Sequence, residues 1–90
     1  MLTSSTLVSY GWSQTLHDQF QALPADGLIP ARILVQQRGG YRLVTEDGEI
    51  DARASGLLMK GPEAERPAAG DWVAVEPRPG ETLGLIQAVL

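Results

Sequence analysis

Four arginines and one tyrosine are the residues of this sequence best suited to meet a ligand. Arg38, Arg42, Arg53 and Arg78 carry planar guanidinium forks that match phosphate oxygens. Tyr41 offers a ring face on which a base can stack. Taken singly, each arginine reads first as a solvated charge balancing nearby acids; taken as a set on one surface, they read as RNA contacts. Tyr41, at the start of an apolar run, suits a core or rim position as well as a binding one.

Other chemistries find less support. The one lysine, Lys60, follows Met59 and precedes Gly61, so no Gly-x-x-x-x-Gly-Lys-Ser/Thr loop exists to cradle phosphates. No catalytic residues are expected, and nucleotide hydrolysis is not expected of this chain alone. His17 is the only histidine, and there is no cysteine. The acids Glu46, Asp47, Glu49 and Asp51 lack calcium-loop spacing and read as a solvated hairpin. No metal ligands and no cofactor-binding residues are therefore expected. Ser4, Ser5 and Ser13 fall in a tail or a helix cap, and Ser55 has no histidine near it in sequence.

Ninety residues suit one domain, and 43% hydrophobic residues suffice for a compact core. The absence of cysteine fits a reducing compartment. No apolar run approaches the roughly 18 residues of a membrane span, and the first residues lack a secretory pattern. A cytoplasmic location without membrane contact is the simplest expectation. Seven basic against eleven acidic residues leave a net charge of −4. That charge argues against a free-standing, non-specific nucleic-acid binder.

The elements that must position these groups follow from periodicity. Residues 1–10 read as a flexible segment, and 11–90 as one folded domain. Trp12, Leu16 and Phe20 recur at helical spacing behind Ser13, a suitable N-cap, and Pro24 and Asp26-Gly27 end the helix. From Pro30 the period becomes two. Strands are expected over 31–38, 41–46, 49–55, 72–75 and 83–90. Tight turns are expected at Gly39-Gly40 and Asp47-Gly48. Ile50, Ala52 and Ala54 alternate with Asp51, Arg53 and Ser55, the pattern of a half-buried strand. Residues 56–70, with three glycines and two prolines, read as a connecting loop with room for one helical turn. Trp72 is expected in the core and Trp12 as the anchor of the helix against the barrel.

A short helix, three meandering strands, a long connection and a final hairpin match an all-β, five-stranded OB-fold Greek-key barrel. A five-stranded SH3-like barrel is the competing topology. In an OB barrel, strands two and three and the loops joining strands one–two and four–five form the oligonucleotide-binding surface. Arg42 and Arg53 fall on those strands. Arg38 flanks the first of those loops, and Arg78 falls in the second.

The ordered pieces Tyr10-Gly11-Trp12, Pro30-Ala31-Arg32-Ile33, Tyr41-Arg42-Leu43-Val44, Gly48-Glu49, Ser55-Gly56-Leu57, Pro67 to Val73 and Ile86 to Leu90 carry a further signal. The series resembles the N-terminal OB domain of the ribosome small subunit-dependent GTPase A family, the circularly permuted GTPases. The resemblance runs from about Tyr10 to Leu90 and implies that the chain is part of a longer protein. It implies GTP and zinc only for other domains. As partners it implies the small ribosomal subunit, through 16S rRNA near the decoding region and a ribosomal protein, and the GTPase domain of the same protein. The function so implied is rRNA contact during late small-subunit maturation. With three or four phosphate contacts, the log–log salt slope for single-stranded RNA would lie at about −2 to −3. The alternative is a protein-interaction or intramolecular docking barrel that regulates an adjoining GTPase domain.

Overall fold

The computed structural model describes residues 5–23, 27–61, 66–77 and 83–90. Five strands form the body: β1 (Ile29–Gln37), β2 (Gly40–Thr45), β3 (Gly48–Ala54), β4 (Trp72–Glu76) and β5 (Leu83–Val89). They close into a barrel in the order β1-β2-β3-β5-β4. β4 returns antiparallel to β1, and β5 runs parallel to β3. The third strand thus pairs with the fifth rather than the fourth. That excludes a simple meander and gives the OB topology.

The barrel closes because each strand alternates small or branched apolar residues inward. Ala31, Ile33, Leu43, Ala52, Val73, Val75 and Ile86 form a continuous buried cluster, with Tyr41 at its edge. Ile50 and Ala54 pack against it, as the alternation along β3 requires. The interior is tight at Gly84, where a β-carbon would stand 2.7 Å from a methyl of Val75. Strand β1 bulges between Ile33 and Val35. Past the bulge Val35 pairs with Arg42 on the outer face and is left exposed.

Three helices decorate the barrel: α1 (Ser5–Ser9), α2 (Gln14–Gln21) and α3 (Gly56–Lys60). Residues 5–9 of the N-terminal segment are helical. Leu7, on α1, is 1% exposed, and α1 packs on β2. Ser13 caps α2 by accepting from the Leu16 N–H at 3.3 Å. Ser55 caps α3 in the same way through the Leu58 N–H. Its hydroxyl serves the backbone. Trp12 precedes the α2 cap instead of lying on the helix, and its ring meets Phe20 and Trp72 at centroid distances of 6.4 and 5.0 Å.

Two details differ from expectation. Trp72 is half-buried outside the barrel, because Val73 and Val75 take the inward positions of β4. Both hairpin turns sit one residue earlier than their glycines suggest. Gln37 pairs with Gly40 and Thr45 with Gly48, so the corners are Arg38-Gly39 and Glu46-Asp47. Thr45 explains the second shift. Its hydroxyl accepts from the Asp47 N–H at 3.2 Å and donates to the Gly48 carbonyl at 2.8 Å. Gly48 then takes the positive φ, +124°, at the first paired position.

Candidate nucleic-acid interface

The outer face of β2 and β3 has two unlike halves. Near the β2–β3 turn, Val44 is buried although it lies outside the barrel cluster, on the strand that α1 covers. Towards the β1–β2 turn the face is open. Arg42 pairs in register with Asp51, and Arg53 lies two residues further along β3. The two arginines are thus diagonal neighbours, about 7–8 Å apart at the backbone. Arg38 stands exposed at the corner of the β1–β2 turn.

Their electrostatic states differ. Arg42 donates from Nε to Glu49 at 3.0 Å and from Nη1 to Asp51 at 3.0 Å. The hydrogen bond with Glu49, then that with Asp51, raises the Arg42 pKa above its usual value. One guanidinium between two carboxylates is a local charge of −1, so Arg42 is occupied. Among the described residues Arg38 and Arg53 have no ion-pair partner. Arg78 lies outside the described residues. Tyr41 is only 7% exposed, so its ring belongs chiefly to the core wall and shows an edge.

The remaining described cations are distributed by structural need. Arg32 donates to the carbonyls of Tyr10 and Gly70, with its guanidinium 5.8 Å from the Trp72 ring centroid. It ties the N-terminal segment to the start of β4. Arg66 donates to the Met59 carbonyl at 2.9 Å, at the end of α3. Lys60 is exposed beside it on the last turn of α3.

Between the β1–β2 turn, the end of β3 and α3 lies an open cleft of about 330 Å³. Gln36, Gln37, Tyr41, Arg53 and Met59 line it, and among the described residues no carboxylate does. Periodicity singled out Tyr41 and Arg53 but not the two glutamines or Met59. Strand order and the placement of α3 bring those residues together, and neither is encoded in local spacing. His17 lies far from this cleft, in a small recess with Trp12, Phe20 and Glu46. Among the described residues no group of acids and histidine is placed to hold a metal ion, and no helix is long and apolar enough to cross a membrane.

A five-stranded closed barrel of this order, with a helix between its third and fourth strands, defines the chain as an OB-fold domain. No family model matches it. Curated relatives do. The chain is 40% identical over 73 residues to the small ribosomal subunit biogenesis GTPase RsgA of Streptomyces coelicolor, covering 81% of the chain and 20% of that relative. It is 37% identical over 76 residues to the RsgA of Opitutus terrae, covering 82% of the chain and 21% of the relative. The match to the Leptospira interrogans RsgA is 31% over 87 residues, 97% of the chain and 23% of the relative. The chain belongs to this RsgA family of ribosome biogenesis GTPases, and it spans about a fifth of the length of the relatives it matches.

Proposed function

We propose that this barrel is an RNA-contacting module that helps seat its parent protein on the small ribosomal subunit, against rRNA near the decoding region. The supporting observation is a pair of arginines, Arg38 and Arg53, without ion-pair partners among the described residues, at one end of the open β2–β3 face of an otherwise acidic domain. Each suits a phosphate. Arg42 joins them only when RNA competes with Glu49 and Asp51, and Arg78 would add the contact from the β4–β5 loop. So few contacts make the isolated barrel a weak binder. Affinity then comes from linkage to other domains, which raises the effective concentration of each weak site. Guanosine triphosphate chemistry belongs, on this reading, to the rest of the parent protein.

The test is a salt titration. Arg38→Ala with Arg53→Ala should weaken binding of a single-stranded RNA to the 90-residue chain and flatten the log–log salt slope by about 1.4, two contacts at about 0.7 each. An unchanged slope removes both residues from the interface.

The ion-paired state of Arg42 gives an expectation of opposite sign. Glu49→Gln with Asp51→Asn should tighten RNA binding and steepen the slope by about 0.7, because one guanidinium is released and two negative charges disappear. Stability should change little, since both pairs are half-exposed and screened by solvent. Fluorescence anisotropy at several salt concentrations, with a thermal melt of the same protein, reads both.

A docking role against the GTPase domain has its own support, a recess formed by Leu58, Gln87, Ala88 and Val89. Binding to an isolated GTPase domain that survives high salt, with no RNA binding, would favour it.

A further inference from the structure

The cleft beside the β1–β2 turn is shaped and lined for more than phosphate contact. We infer that it receives a single unstacked nucleobase, with Gln36 and Gln37 at the base edge, Met59 against its face and Arg53 at the adjoining phosphate. The inference rests on the RNA reading above and names what the RNA presents there.

The lining carries the argument. Each glutamine amide offers two N–H donors and one carbonyl acceptor, the complement that a base edge needs. Met59 is 45% exposed although its side chain is apolar. Its flexible, polarisable thioether adapts to a flat partner. Tyr41 supplies the inner wall, and Gly40 keeps the mouth open beside Arg53. A β-carbon at Gly40 would stand 2.7 Å from the Ala52 carbonyl oxygen, so no larger residue fits there without moving β2 from β3.

Size and charge narrow the occupant. A volume of 330 Å³ lies at the small end of ligand sites, enough for one nucleotide and too little for a duplex. Arg53 lines the cleft, Arg38 lies in sequence between the lining residues Gln37 and Gly39, and Lys60 follows Met59. Among the described residues the charges at this end of the barrel are therefore cationic, in a chain of net charge −4. RNA loops and bulges present unstacked bases of this kind, read on their edges and covered on their faces. An acidic peptide would use the cations but leave the two amides and the thioether without a planar partner.

The experiment is a nuclear magnetic resonance titration of the 90-residue chain with four ligands: a nucleoside 5′-monophosphate, ribose 5-phosphate, a short single-stranded RNA and a glutamate-rich peptide. The monophosphate should shift the side-chain amides of Gln36 and Gln37 and the Met59 methyl, and bind at least about fivefold more tightly than ribose 5-phosphate, the gain expected of one covered base. Met59→Glu and, separately, Gln37→Ala should remove that advantage without changing the melting temperature, both side chains being exposed. Equal affinity for the two phosphates, with the RNA still shifting Arg38 and Arg53, overturns the base site and leaves the RNA reading standing. RNA that shifts neither arginine overturns both. Tighter binding of the peptide than of the monophosphate also overturns the base site.

Discussion

Leu43→Ala is expected to lower the unfolding free energy by about 2–5 kcal/mol, the range for leucine truncation in a packed core. Leu43 is fully buried on β2, paired with Ile33 on one side and Ile50 on the other. Its side chain therefore touches the middle of the cluster. The strands around it are tied into a closed ring, and a ring cannot collapse inward without breaking ladder hydrogen bonds. The cavity should stay largely open, which places the cost in the upper part of that range. Domains of this size have only about 5–15 kcal/mol in total, so the loss is a large fraction. Urea denaturation should show a lower midpoint at unchanged slope. Leu43→Met, which conserves volume, should cost less than about 1.5 kcal/mol. If Leu43→Ala cost no more than that, the residue would not lie at the centre of the barrel.

Much of this barrel is legible in the sequence because its strands alternate cleanly. Ile50, Ala52 and Ala54 face the interior as their spacing requires, and Val73 and Val75 do the same on β4. The cap of α2 is equally legible, since Ser13 stands directly before the apolar stripe. The candidate site is less so, and the reason is register. A turn centred on Asp47-Gly48 would set Arg42 opposite Arg53. The observed corner at Glu46-Asp47 sets it opposite Asp51. The change moves the partner by two residues, so every side chain keeps its face while the charge pairing changes completely. The cause is one hydroxyl, that of Thr45, which holds the turn. Local residue preference cannot weigh that bond against a glycine's freedom. Trp72 shows the same limit. Its size suggests the core, but the inward alternation of Val73 and Val75 places it outside, where it needs Trp12 and Arg32 as cover.

That cover makes Trp12→Ala the second large expected effect, about 3–5 kcal/mol for truncating a buried tryptophan. Trp12 is 6% exposed and bridges Phe20 of α2 to Trp72 of β4. An eight-residue helix is not stable alone in water, so α2 depends on this contact for its structure. Without the indole, α2 should undock and α1 should loosen from β2. The barrel itself keeps its cluster, to which Trp12 does not belong. The change should therefore be read in two signals. The near-ultraviolet circular dichroism of the two indoles, 5.0 Å apart, should collapse. Amide exchange should rise across α1 and α2 ahead of β2 and β3. RNA binding should survive, because Arg38, Arg53 and the cleft sit at the other end of β2, about 17–20 Å away for a strand of this length. A variant that lost RNA binding while its barrel amides stayed protected would show that the N-terminal helices, and not the β1–β2 end, carry the interface.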